Sequence, residues 1–293
     1  MTKVSQDIWS RWLQHRRDGD DPEARRLTID LLQPIRDRVL DHAAINEGDS
    51  LLDVGCGDGL IAFGALERTK TGTVLFSDIS QDLLDQCKAI AEDLAVINRC
   101  RFLNASAEDL HLIPDASVTV VTTRSVLIYV RAKASAFRES YRVLVPGGRI
   151  SLFEPINSFG YPSPDHVFYG YDVSPVAYLA RKVKAVYRKA QSVEPDPMTD
   201  FDDRDLLGYA EEAGFEELHL HLEADIERPR PEVSWEILLH RAPNPLAPTL
   251  QEAVDQSLSP SEAQEFFGHL KPLVEQRIGT RKTAVAYLWG TKF

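Results

Sequence analysis

Apolar positions change their period several times along the chain, and those changes predict its elements. Residues 5–18 carry Ile8, Trp9, Trp12 and Leu13 at helical spacing, flanked by Arg11, Arg16 and Arg17. Asp-Asp-Pro-Glu at 20–23 combines a capping acid, an early proline and an acidic first turn. It predicts a second helix through Leu27, Ile29, Leu31, Leu32, Ile35, Val39 and Leu40. After the turn-like 46–49, short apolar runs take over at 51–54, 72–78, 101–106, 117–125 and 149–155. Helical patterns separate them at 60–66, at 83–94 and around 132–144, the last ending at Pro146-Gly147-Gly148. Strands alternating with helices at this spacing predict right-handed βαβ units and a doubly wound, mostly parallel α/β sheet with helices on both faces.

Regularity is lost at 157–200, where proline, glycine and aromatic residues cluster. A segment this long without structure is a lid or binding segment, or else disordered. A helix at 205–214 and a strand at 215–225 restore the α/β pattern. Residues 228–282 hold several prolines and two expected helices, one starting near Ser259-Pro260, before an apolar final strand at 283–293. The expected division is an N-terminal helical lid (1–45), an α/β core (46–156), an inserted lid (157–200), the remaining core (201–227 and 283–293), and a second, partly helical inserted cap segment (228–282).

Composition narrows the class. The 293 residues are 43% hydrophobic and 9% aromatic, enough for a sizeable core and too much for a disordered chain. Lys and Arg number 33 against 45 Asp and Glu, a net charge of −12 that argues against nucleic-acid partners. Cys56, Cys87 and Cys100 make no zinc pattern, so no metal is expected. Neither a signal-peptide core nor about 18 consecutive apolar residues occurs, so a cytoplasmic protein without membrane contact is expected. The basic run at 181–189 reads as an amphipathic helix with a solvated face.

The chemistry concentrates at Leu51-Leu52-Asp53-Val54-Gly55-Cys56-Gly57-Asp58-Gly59. Three glycines after a buried strand permit a sharp turn and a close approach of backbone to ligand. The spacing G-x-G-x-G departs from the dinucleotide fingerprint G-x-G-x-x-G. Asp53 would repel a phosphate there and would suit an ammonium or sulfonium group. Asp78 ends the next strand about 20 residues on, where a carboxylate can take both ribose hydroxyls.

Together these residues resemble the class I S-adenosylmethionine-dependent methyltransferases, a family with a Rossmann-like sheet. The resemblance runs at motif level from about Leu51 to Glu154 and more loosely to the final strand. It implies S-adenosylmethionine as cofactor, with Asp53, Gly55, Cys56, Gly57, Asp58 and Gly59 around its methionine end. Asp78 matches the acid on the ribose and Ile79 the residue packing on adenine. Ala105–Leu110 is similar to the family's adenine segment and carries over Ala107 and Glu108, with Ser106 where the family usually has Asp. Residues 121–130 resemble the fourth-strand motif, which places Arg124 and Ser125 at the cofactor or the acceptor edge.

On the acceptor side, Trp9, Trp12, Tyr129, Tyr161, Phe168 and Tyr171 are candidate substrate contacts, or else pack the lid onto the sheet. His166 is the candidate base and Tyr169 a second catalytic candidate, the alternative for the histidine being an ordinary surface position. Arg124 has an alternative as an ion-pair partner of Asp53 or Glu154. The expected activity is methyl transfer to N, O or C of a small molecule. A protein or RNA methyltransferase, a cofactor-binding protein without turnover and an NAD enzyme are the competing readings. The inserted segments leave room for a homodimer contact.

Overall fold

Short apolar runs become central strands when helices cover both faces of a sheet. In the computed structural model, which describes residues 6–191, 195–230 and 233–293, that rule organises the molecule. Residues 1–5 of the expected N-terminal lid, 192–194 of the first insertion and 231–232 of the second lie outside the described residues. The strands are β1 (Ser50–Val54), β2 (Thr73–Asp78), β3 (Cys100–Asn104), β4 (Val118–Arg124), β5 (Leu144–Pro155), a small hairpin of β6 (Val167–Phe168) and β7 (Tyr171–Asp172), β8 (Glu216–Glu227) and β9 (Arg281–Thr291). Seven form one sheet in the order β3-β2-β1-β4-β5-β9-β8. Pairing is parallel from β3 to β5, and β9 runs antiparallel to both β5 and β8.

The helices are α1 (Ile8–Arg11), α2 (Pro22–His42), α3 (Leu60–Arg68), α4 (Gln81–Asp93), α5 (Lys133–Val143), α6 (Ala177–Ala190), α7 (Asp203–Ala213), α8 (Trp235–His240), α9 (Leu250–Ser257) and α10 (Pro260–Glu275). Alternation along each strand splits its apolar residues between two faces. Leu51, Phe76, Val120 and Phe153 pack with Leu40 of α2, Ile61 of α3 and Leu84 of α4. Leu52, Val121, Ile150 and Leu152 pack with Phe137 of α5 and Leu206 of α7. Burying a side chain as large as Phe76 contributes about 1.5–3 kcal/mol.

The inserted segments differ from the expectation. Residues 157–200 carry more structure than expected: the helix read from the basic run is present as the 14-residue α6, and the hairpin precedes it. The second insertion holds three helices, not two. Both insertions share one apolar core, in which Phe168, Tyr171, Leu179 and Val183 meet Trp235, Leu250, Phe266 and Leu270. They form a single cap. Reciprocal capping boxes, Thr249 with Glu252 and Ser259 with Glu262, start α9 and α10. The basic run lies on α6, where Lys182 pairs with Glu262 and Lys184 donates to the Pro164 carbonyl.

The N-terminal segment also departs from a plain helix. After α1 it continues as a π-helical turn, Trp12–Arg16, in which the Arg17 N–H donates to the Trp12 carbonyl. Such turns are rare and gather at functional sites.

Candidate active site

Sequence order reverses between β1 and β4, and an open α/β sheet binds ligands beyond the carboxyl ends of its strands at that point. There β1 runs into the glycine loop. Gly55, Gly57 and Gly59 take φ of +64°, +56° and +83°, a left-handed region that side chains disfavour. A Cβ at Gly55 would lie 2.3 Å from Val126, so that glycine is fixed by packing. At Gly57 the nearest atom is the Leu13 Cδ1, 3.4 Å away. Space therefore remains above Gly57.

Asp78 joins this loop to the end of β2. Its carboxylate accepts from the Gly57 N–H and the Ser80 N–H, each at 2.8 Å, and burial pushes its pKa up. The Asn104 amide donates to the carbonyls of Asp78 and Ile79 and fixes the following turn. Ile79 is 52% exposed there, an apolar residue with open space before it. Beyond β3, Ser106 bridges to Asp109, Ala107 is buried, and Glu108 accepts the Ala132 N–H at 2.6 Å.

Two acids stand at the ends of the central strands. Asp53 is buried and accepts from the Thr122 hydroxyl at 2.8 Å, while its Oδ2 has no partner among the described residues. Loss of hydration pushes its pKa up to about 7. Glu154, equally buried, accepts the N–H groups of Val126, Leu127 and Ile128, and burial pushes it up to about 7. It thus holds the turn after β4, where Ser125 sits at φ +56°. Arg124 lowers both pKa values by its charge but makes no ion pair among the described residues. The alternative reading of Arg124, an ion pair with Asp53 or Glu154, does not form among the described residues.

Orphaned buried oxygens on Asp53 and Asp58, with Asp78 and the bare Gly57, make a cradle edged by negative charge. That donor set fits a ligand with a cationic end and a ribose, and it fits S-adenosylmethionine.

The N-terminal segment covers this cradle. Asp7 accepts from the Ser80 hydroxyl at 2.6 Å and caps α1 through the Trp9 and Ser10 amides. Arg17 lies 3.5 Å from Asp58, and Trp9 meets Tyr129 edge to face at 4.9 Å. The same segment grips the cap: Trp12 Nε1 donates to the Ala242 carbonyl, and Arg16 pairs with Glu252. Between segment and cap lies a cavity of about 310 Å³, lined by Trp12, Arg17, Asp18, Thr28, Tyr169, Arg241, Ala242 and Pro243.

Of the residues read from sequence, Trp12 and Tyr169 reach this cavity. Tyr169 donates to the Tyr187 hydroxyl at 3.0 Å, and burial pushes its pKa up to about 12. Phe168 and Tyr171 do not: each is 3% exposed, inside the cap core, because the hairpin turns their rings inward. Tyr161 is largely exposed, and so is His166, at the start of the hairpin. No histidine lines the cavity, which leaves His166 without a proton to remove there. His219 stacks on Trp289, and His221 contacts Arg38. Sequence reasoning gave no role to Arg17, Asp18, Thr28 and Arg241, which belong to no motif, nor to Thr122 within the fourth-strand motif.

Residues 51–148 match the sequence model of a family described as a methyltransferase domain. An uncharacterized 37.1 kDa protein in transposon TN4556 of Streptomyces fradiae is 33% identical over 132 residues, 44% of this chain and 36% of that protein. The chain therefore spans about a third of that relative. The ubiquinone/menaquinone biosynthesis C-methyltransferase UbiE of Citrobacter koseri is 30% identical over 183 residues, 61% of this chain and 70% of that one. Among solved structures, geranyl diphosphate C-methyltransferase from Streptomyces coelicolor, in complex with Mg2+, geranyl diphosphate and S-adenosyl-L-homocysteine, superposes with a TM-score of 0.53. That match covers 95% of this chain and 88% of the other at 17% identity, a likeness of fold alone.

Proposed function

Because the chain belongs to the class I S-adenosylmethionine-dependent methyltransferases, we propose that its acceptor is a small molecule held between the N-terminal segment and the cap. The reaction is methyl transfer from S-adenosylmethionine. The observation that carries the acceptor reading is the cavity of about 310 Å³ walled by Trp12 and Tyr169, whose Arg17 reaches Asp58 of the glycine loop. Its size lies at the small end of ordinary ligand pockets.

Bound in the cradle, S-adenosylmethionine supplies an electrophilic methyl group. Asp78 and the backbone of Gly55–Gly59 would hold it, and Asp53 would face its charged end. The N-terminal segment excludes water and fixes the acceptor, and alignment of the reacting atoms supplies much of the rate. Tyr169, with its pKa near 12, keeps its proton at neutral pH. With that proton given to Tyr187, it lines the cavity as a neutral hydroxyl rather than as a base.

The deciding experiment supplies methyl-labelled S-adenosylmethionine with a cell extract separated into metabolites, protein and RNA. Label is expected in the metabolites, and label confined to protein or RNA overturns the reading. Asp78→Ala is expected to weaken cofactor binding by about 1–3 kcal/mol, the range for hydrogen bonds to a charged group. Calorimetry checks it, and unchanged affinity removes Asp78 from the site.

The raised pKa of Asp53 gives a second expectation. Below about pH 7 the free protein holds that carboxyl protonated, so binding a cationic ligand must release the proton. Affinity for S-adenosylmethionine therefore rises with pH and levels off above about 7. The sign for stability is the reverse. Because the folded pKa exceeds the ordinary carboxyl value, the stabilisation from the protonated form is complete below about pH 4 and lost as pH rises through about 7. Asp53→Asn should flatten the binding profile in calorimetry, and an unchanged slope assigns the proton elsewhere.

A further inference from the structure

We propose that Arg241 recognises an anionic group on the acceptor, so that the cavity selects small molecules carrying a carboxylate or a phosphate. The inference rests on the small-molecule reading above and names the class of that molecule. Arg241 lines the cavity, and its guanidinium makes no hydrogen bond or ion pair with any described residue. Other arginines of this region are engaged: Arg16 with Glu252, Arg281 with Glu227, and Arg277 with the Pro229 carbonyl. Arg241 is half-buried, and this partial loss of hydration, with no carboxylate in contact, drives its pKa down.

Asp18 does not supply the missing charge. Its carboxylate takes Arg17 at 3.2 Å and the Thr28 hydroxyl at 2.7 Å. Arg17 is met by both Asp18 and Asp58, which leaves Arg241 as the cavity's guanidinium with no carboxylate in contact among the described residues. An anion on the ligand would complete the balance. A guanidinium is the group for this task, since its planar fork meets carboxylate and phosphate with paired donors.

The position is also rigid. The Arg241 N–H donates to Ile237 at the end of α8, and the next residue is held twice, by its N–H on the Arg16 carbonyl and its carbonyl on Trp12. Pro243 follows. A charge presented from a fixed backbone loses little freedom on binding. Trp12 and Tyr169 flank it, so the ligand carries its anion beside an apolar or aromatic body.

The test uses protein saturated with S-adenosylhomocysteine and four probes: benzoate and phenyl phosphate against benzamide and benzyl alcohol. Calorimetry is expected to show at least one anion binding about tenfold or more tighter than either neutral probe, as charge-assisted hydrogen bonds imply. Arg241→Met should abolish that preference without lowering thermal stability, because the guanidinium makes no hydrogen bond or ion pair with any described residue that the change would break. Arg241→Lys should keep a reduced preference, and it is read in place of the methionine variant if that one fails to fold. Equal binding of anionic and neutral probes overturns the inference, as does an anion preference that survives in Arg241→Met. Neither result touches the methyltransferase reading, which stands or falls on S-adenosylhomocysteine affinity and on the labelled metabolites.

Discussion

In a Gly57→Val variant, S-adenosylmethionine binding falls below detection while the sheet stays folded. Gly57 takes φ +56°, where a β-branched residue is strained by about 1–3 kcal/mol. No packed side chain stands closer than Leu13 at 3.4 Å, so the new atoms enter the space between the loop and the N-terminal segment. That space is where the cofactor's methionine end would lie. The strain also disturbs the Gly57 N–H bond to Asp78, so both ends of the cradle are hit by one change. Gly55 would be a poor probe by comparison, since its Cβ collides with Val126 and damages the fold itself. The check is calorimetry with S-adenosylhomocysteine beside a thermal melt. Affinity within about threefold of the parent would remove the loop from the site.

Phe266→Ala is expected to cost about 3–5 kcal/mol, the usual price of emptying a buried phenyl site. Phe266 is wholly buried and meets Phe168 edge to face at 5.5 Å, in the core that joins the two insertions. None of that core's residues packs in the two layers of the sheet. The loss therefore falls on the cap. Methyl transfer should disappear, because the acceptor cavity loses Tyr169 and Arg241 as a wall, while cofactor affinity changes little. Fluorescence in urea resolves the two parts in variants that keep one tryptophan of the four, Trp235 in the cap core or Trp289 in β9 of the sheet. A single transition for both, with cofactor affinity lost alongside it, would show that cap and sheet unfold as one.

The strands of the sheet are legible because each is a short apolar run cut off by glycine, proline or a polar turn. Leu51–Val54 before the glycine loop is the clearest case, since burial on both faces makes the run apolar apart from Asp53, which the site uses. The cap is not legible for the opposite reason. Its core pairs Phe168 and Tyr171 with Trp235 and Phe266, residues far apart in sequence. An aromatic stretch looks the same from sequence whether its rings face a ligand or a partner helix. Phe168 and Tyr171 took the second course, and Tyr169 between them reaches the cavity at φ +49°. Arg241 carries no local signal at all, because an arginine becomes informative only when its surroundings fail to pair it. The glycine loop and Asp78 were readable as a pattern, whereas the N-terminal cover over them depends on contacts such as Asp7 with Ser80, which no period encodes.

The place of β9 sets an order on how the molecule is made. It pairs with β5 on one side and with β8 on the other, yet it comes last of all the strands in the chain. While the polypeptide emerges from the ribosome, the first five strands can assemble into a parallel sheet as they appear. The open edge of β5 must then wait through the synthesis of more than a hundred residues, the whole cap included. Such an edge invites pairing with a stranger. Until residues 281–291 arrive, β8 has nothing in the sheet to hold it.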